Sequence, residues 1–377
     1  MFQMLRVMTA GESHGAGLTA ILEGLPAGIP VSPEKIQNVL NDRQKGFGRS
    51  GRMKFENDAV TFVGGLHEGK TTGAPIALTI PNVDQSFVAE TAPVCVPRPG
   101  HADLAGGQKL NEKNLRIIAE RSSARETACR VALGALARAF LDELRMKVVG
   151  RVCQIGPAVS KKEIPFEQWP SRTAESEFRC GDPEAETQMR EAVKEAAKNG
   201  ETLGGRFQVA ALGVPPGLGH FISWEKRLDS RLAAALMSIP AIKAVEVGLG
   251  TRSAECVGSQ MQDIIRYELK KSFWRETNRA GGIEGGVSNG ETIWLTAAMK
   301  PLPTLKSPLD SVDVQTKQEA PAPVSRADVC AVPAACVVGE AMMALVLADA
   351  CLEKFGGDSL LETRRNYENY CSALHQY

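Results

Sequence analysis

Apolar positions along the chain follow two periods. In SARETACRVALGALARAFLDEL, residues 123–144, they recur at helical spacing through Val131, Leu133, Leu136, Phe140 and Leu141. Ser123 and Glu126 have the S-x-x-E spacing of a capping box, so the pattern predicts a helix starting near Ser123. A second run, from about Val337 to Lys354, is apolar nearly all round, as a helix enclosed by protein would be, and stops at Gly356-Gly357. SPEKIQNVLNDR predicts a third helix, with Ser32 as cap, Pro33 in the first turn and Ile36, Val39 and Leu40 on one face. Helical spacing also runs through PEAETQMREAVKEAAKNG, with a stop at Asn199-Gly200, and through LDSRLAAALMS. Alternation with period two marks strands in LTAILEG, APIALTI, RFQVAAL and TIWLTAA.

The pattern repeats itself. Laid without a gap on residues 281–296, GGIEGGVSNGETIWLT, residues 64–79, GGLHEGKTTGAPIALT, share the leading glycines, two later ones and an I-x-L-T strand at an offset of 217. The same offset carries the capped helix onto the buried one. A duplicated unit of glycine turn, strand and helix, packed about an approximate two-fold axis into a single domain spanning residues 1–377, accounts for both. Residues 305–325, LKSPLDSVDVQTKQEAPAPVS, have no period and are rich in proline and charge, which predicts a structureless, mobile cover over a site.

Charge narrows the function classes. Lysine plus arginine and aspartate plus glutamate both number 44, so no global field draws the chain to nucleic acid or to a membrane, and anion binding must come from local clusters. The nine cysteines form no C-x-x-C pair and most lie in apolar runs, the usage of a reducing compartment. MFQMLRVMTAGES has neither the basic start nor the apolar stretch of a secretion signal, and Glu340 and Asp349 interrupt the most apolar segment, so the sequence predicts a soluble, cytoplasmic protein.

Four clusters carry candidate chemistry. GFGRSG, residues 46–51, matches the dinucleotide-binding letters but lacks the strand before and the helix after, so it is no Rossmann turn. The surrounding loop gathers Arg43, Lys45, Arg49, Arg52 and Lys54. It reads either as an anion site, as a solvated basic face, or as an RNA-binding Gly/Arg loop spanning residues 43–54. Arg121, Ser122, Ser123 and Arg125 cluster at the expected helix start, where unpaired N–H groups and the helix dipole favour an anion. In PRPGHAD, two prolines and Gly100 stiffen a turn that presents His101, a proton donor suited to neutral pH. GESHG sets Ser13 and His14 between glycines but is not G-x-S-x-G, which argues against a hydrolase triad, and the five histidines show no metal-ligand spacing.

These pieces together resemble the chorismate synthase family along nearly the whole chain. The resemblance rests on GESHGAGLTAILEGLPAG, RPGHADLAG, SSARETACRVALGAL, TNRAGGIEGGVSNG, MKPLPTL and RADVCAVPAACVVGEAMMALVLADA, six blocks in one order. It implies an α+β fold, a β-α-β sandwich with helices between mainly antiparallel sheets, assembled as a homotetramer. It implies trans-1,4 elimination of phosphate from 5-enolpyruvylshikimate 3-phosphate to give chorismate, the last shared step towards the aromatic amino acids, with reduced FMN as cofactor and no net redox change.

By the same resemblance, His14 protonates the reduced-flavin region and His101 the departing phosphate. Asp328 helps flavin N5 lose its proton, and Ser13 and Ser123 hold these groups in position. Arg43, Arg49 and Arg125 match substrate-binding positions, the first two also described as contacting NADPH. Flavin contacts fall on Arg121, Ser122, Ser123, Ala234, Ala235, Gly285, Arg326 and the run Lys300, Pro301, Leu302, Pro303, Thr304. This chain carries Ala327 where members often have serine or histidine between the Arg and Asp. The stretch 157–204 carries no diagnostic motif.

Overall fold

The computed structural model describes residues 2–49, 58–89, 92–269, 272–324 and 328–377. Two antiparallel sheets enclose a layer of helices. The first sheet runs in the order Arg6–Gly11, Gly17–Glu23, Ile76–Pro81, Thr61–Gly64. The second runs Ile242–Val247, Ile293–Met299, Gly205–Leu212, Lys147–Ile155, with the short Ala158–Val159 at its far edge. With the short Ala158–Val159 edge strand set aside and the second sheet read from its Lys147–Ile155 strand, both sheets follow the chain order first, second, fourth, third. That identity of topology, not similarity of glycine turns alone, establishes the duplication.

The register of the echo is maintained in detail. Leu66–His67 pairs with Lys70–Thr71 just ahead of the Ile76–Pro81 strand, and 217 residues later Ile283–Glu284 pairs with Val287–Ser288 just ahead of Ile293–Met299. The offset does not extend into the helices: from Thr127 it falls at residue 344, inside the Val332–Phe355 helix rather than at its start. That helix also begins earlier than its apolar pattern indicated, because Pro333 suits a first turn and the buried face continues through Val332.

Period-two alternation does its work here. Leu18, Ala20 and Leu22 of one strand and Ile76, Leu78 and Ile80 of its neighbour all point into the core. Between the sheets the Thr127–Glu143 and Val332–Phe355 helices lie against each other. A Cβ on Gly134 would sit 2.4 Å from the Ala341 Cβ, and one on Gly339 would sit 2.5 Å from the Phe207 ring of the second sheet. The two helices thus meet closely at Gly134, and the second meets its sheet closely at Gly339. Met343, Leu345, Val346 and Leu347 are wholly buried, each worth about 1.5–3 kcal/mol of burial.

By length and composition Val332–Phe355 could cross a membrane, but every residue of its apolar window is covered by protein. Its two charges are paired. Glu340 takes Arg138 at 3.1 Å and Arg179 at 2.5 Å, while Asp349 takes Arg231 and the backbone N–H groups of Gln3, Met4 and Leu5. Buried carboxylates with such partners are tolerated where lone ones are not.

Two expectations need correction. Ser123 does not cap an α-helix: it caps a 3-10 turn, Ala124–Glu126, accepting from the Arg125 N–H at 3.3 Å, and the α-helix begins at Thr127. Glu126 does not complete the capping box, because its carboxylate is taken by the Thr9 hydroxyl at 2.8 Å and by Arg130 at 2.9 Å. Residues 305–325 are not structureless either. Asp310–Val312 and Glu319–Pro321 pair as a ribbon that docks on the PRPGHAD turn, with the Ser311 hydroxyl donating to the Pro97 carbonyl at 2.6 Å and the Val314 N–H to the Cys95 carbonyl at 2.9 Å.

Candidate active site

The duplication has a consequence for charge. Both central helices begin at one place: Ala124 and Thr127 from the first, and Ala331, Ala334 and Ala335 from the second, line a single cavity of about 430 Å³. Two helix N-termini thus face one space, and their dipoles favour anions before any side chain is counted.

Five arginines add to that field: Arg43, Arg49, Arg98, Arg116 and Arg125, against the carboxylates of Asp103, Glu120 and Asp328. Arg43 comes from the end of the Pro33–Gln44 helix and Arg125 from the 3-10 turn. Both converge on Asp58, which is wholly buried: Arg43 lies 2.5 Å away, Arg125 ion-pairs with the other oxygen, and Arg125 also donates to Asn82 at 2.9 Å. Burial alone would push the Asp58 carboxyl up, but the two guanidinium groups hold it below its ordinary value. Arg49 pairs with Asp328 at 2.7 Å. Burial pulls the Arg49 guanidinium down, with Asp328 opposing and Arg43 adding to the effect.

Arg43 and Arg49 turn inward, with side chains 5% and 10% exposed, so these two do not form the solvated basic face or RNA-binding loop open on spacing alone. Lys45 is on the surface, paired with Asp42. The remaining basic residues of that loop, Arg52 and Lys54, lie outside the described residues, as do Arg326 and Ala327.

The two histidines meet in the cavity from distant segments. His14 follows the first strand, and its Nδ1 is 2.9 Å from Glu120 Oε1, while its backbone N–H donates to Glu120 Oε2 at 2.7 Å. His101 Nδ1 is 2.6 Å from Asp103 Oδ1, and Asp103 also accepts from Arg98 Nε at 2.8 Å. Although burial opposes it, hydrogen bonds from His101 and Arg98 keep the Asp103 carboxyl well below the usual carboxylate range. Burial also opposes ionisation of Glu120, but its hydrogen bonds from His14, with help from Arg116, hold its carboxyl below its ordinary value. At both rings Nδ1 faces a carboxylate; at His101 Arg98 Nη2 also lies 3.1 Å from Nδ1 and 3.5 Å from Nε2, and at His14 Asp84 lies 3.9 Å from Nε2.

Of the candidate residues, Ser13, His14, Arg43, Arg49, His101, Ser123, Arg125, Leu302, Pro303, Thr304 and Asp328 line this cavity. The Ser123 hydroxyl donates to the Ser13 hydroxyl at 3.2 Å. The other candidates lie elsewhere. Arg121 turns away to the Thr9 carbonyl and hydroxyl, each at 3.1 Å, and the Ser122 hydroxyl donates to the Ile118 carbonyl, so the proposed seat at the helix start does not form as a unit. Ala234 and Ala235 belong to the Leu228–Met237 helix, and Gly285 to a hairpin tip where an added Cβ would meet nothing within 4 Å. Lys300 reaches back to the Gly100 carbonyl at 2.8 Å, beside His101, with Pro301 following it outside the cavity wall.

Sequence reasoning missed Asp58, Glu120, Asp103, Arg98 and Arg116. Asp103 had a local signal, two residues beyond His101 in a turn already singled out. Glu120 had none, because 106 residues separate it from His14.

The sequence profile of the family described as chorismate synthase matches residues 5–352. A chorismate synthase from Desulforamulus reducens is 52% identical over 96% of this chain and 97% of its own length, and one from Aquifex aeolicus is 48% identical over 99% of each. A solved structure described as "Crystal Structure of Chorismate Synthase" superposes with a TM-score of 0.85 at 41% identity, covering all of both chains. The chain therefore belongs to the chorismate synthase family, enzymes that are carbon–oxygen lyases.

Proposed function

We propose that this cavity binds 5-enolpyruvylshikimate 3-phosphate and eliminates its phosphate and a ring hydrogen in trans-1,4 fashion to give chorismate, with reduced FMN as cofactor. The observation that carries the reading is the convergence of two carboxylate-backed imidazoles and five arginines at two helix N-termini in one cavity. A substrate with one phosphate and two carboxylates needs such a local field in a chain whose net charge is zero.

The cavity also fits a flat ring carrying an anionic tail. Ile239, Ala241, Ala331, Ala334, Ala335 and Val338 supply apolar wall beside the guanidinium groups. Arg43 Nε is buried with no hydrogen-bond partner among the described residues, a donor that suits an anion. When bound, the reduced flavin supplies the transient electron density that helps the C–O bond break.

The chain's own residues do the rest. Arg43 and Arg125, fixed by Asp58, hold the substrate's anionic groups in register. His101 delivers a proton from Nε2 to the departing phosphate, while Asp103 on Nδ1 keeps the ring oriented. His14 places a second proton donor across the cavity, and Asp328, held by Arg49, is the proton acceptor of the set. Ser13 and Ser123 tie the His14 loop to the 3-10 turn. The protein acts in the cytoplasm as a homotetramer. Anaerobic incubation with substrate and chemically reduced FMN tests the reading: inorganic phosphate and chorismate should form in equal amounts, and phosphate release that proceeds equally well without flavin would defeat it.

A further inference from the structure

Glu120 touches the His14 segment in three ways. Its carboxylate receives the ring through Oε1 and the His14 backbone N–H through Oε2, and its own carbonyl accepts from the Ser13 N–H at 3.2 Å. Two of these contacts anchor a loop, and any good acceptor would serve. The third, to Nδ1, does something else: it fixes which ring nitrogen carries the proton and which way the ring turns about its own backbone.

The other histidine carries the same chain of groups by an unrelated construction. At His101 the carboxylate of Asp103 is two residues away and is itself held by Arg98 at 2.8 Å, whose Nη2 also lies 3.1 Å from the ring Nδ1. At His14 the carboxylate comes from a helix 106 residues distant, and the cation behind it is Arg116, one helical turn earlier, at 4.0 Å. Loop packing alone gives no reason for imidazole, carboxylate and guanidinium to be assembled twice, once locally and once across the fold. A need for the same state at both rings does. Asp84, 3.9 Å from His14 Nε2, faces the ring from the other side and gives that nitrogen an acidic neighbour of its own.

We infer that Glu120 is a positioning residue for catalysis: by accepting Nδ1–H it holds His14 in the tautomer and orientation that turn Nε2 towards the ligand. The inference rests on the proposed reaction only for its effect on turnover. When His14 gives up its Nε2 proton, the remaining proton sits on Nδ1 against the carboxylate, and reprotonation returns to Nε2 alone. Without the carboxylate the neutral ring is free to shift its proton to Nε2, which blocks that nitrogen as an acceptor.

The test uses the full-length protein with ¹⁵N-labelled histidine and the isosteric variant Glu120→Gln. Nitrogen shifts at a pH where the imidazole is neutral report the tautomer directly, with no turnover required. The expected result is a wild-type His14 ring protonated at Nδ1, a rise of the Nε2–H form in Glu120→Gln, a fall in kcat on the order of 10²-fold with KM changed less than threefold, and no added loss when Glu120→Gln is combined with His14→Ala. A neutral wild-type ring protonated at Nε2 overturns the inference even if the variant fails to fold. So does an unchanged tautomer in Glu120→Gln, or an equal loss of turnover in the His14→Ala background. Because the nitrogen shifts are independent of chemistry, an enzyme that forms no chorismate would refute the proposed reaction while leaving this result readable.

Discussion

Two cavity arginines share one wholly buried carboxylate, and Asp58→Asn separates the charges while keeping the shape. Removing one partner of a buried ion pair costs roughly 3–5 kcal/mol. Because Arg43 and Arg125 border the cavity, water reaches part of each guanidinium, which places the cost near the lower end, about 3 kcal/mol. With an unfolding entropy of about 2.1 cal/mol/K per residue and 377 residues, that corresponds to a melting point lower by about 4 °C. The sign with pH follows from the depressed carboxyl. Asp58 lies below its ordinary 3.8 in the folded state, so its contribution is complete above that value and is lost as pH falls through the lower, folded one. Denaturant unfolding of both proteins should show a constant gap from pH 7 to about 4.5 that narrows as the pH falls further. A gap under ~0.5 kcal/mol at pH 7, or one of equal size at pH 3, would refute the assignment of Asp58 as the charged hub of the site.

The remaining predictions concern chemistry and packing. His101→Ala should lower kcat by ~100-fold or more, the scale of a lost general acid, with substrate affinity by calorimetry nearly unchanged; wild-type turnover would remove His101 from the mechanism. Gly134→Val should destabilise by about 1–3 kcal/mol or more, because its side chain would enter the space of Ala341 on the facing helix, and an unchanged denaturation midpoint would contradict the helix contact. With NADPH and oxidised FMN under anaerobic conditions, and no added reductase, the protein should form no chorismate; steady product formation would show that it reduces its own flavin.

The elements that could be read from sequence were those whose signal is local. Ser32 and Pro33 start a helix where expected, Asn199 and Gly200 stop one, and the alternation in RFQVAAL and TIWLTAA marks neighbouring strands of the second sheet. The Lys147–Ile155 strand escaped notice because both its faces are covered along much of its length, so KVVGRVCQI shows little alternation. Ser123 misled for a physical reason: a serine that starts a 3-10 turn is spaced like one that caps an α-helix, and Glu126 was claimed by Thr9 from the first strand and by Arg130 one helical turn later. The histidines were legible as chemistry, since His14 and His101 stand in stiff, glycine-flanked turns. Asp103 lay two residues from His101, but Glu120, and Asp58 between the arginines, were set by tertiary approach. So were the positions of Ala234, Ala235 and Gly285, which this chain does not bring to the cavity.

A crystal structure with substrate and FMN bound addresses the central claim most directly. The account predicts both ligands in the cavity between the two helix starts, with the phosphate that leaves within hydrogen-bond distance of His101 Nε2 and a substrate carboxylate on Arg43 or Arg125. Ligands seated elsewhere, or a substrate whose phosphate points away from His101, would contradict it.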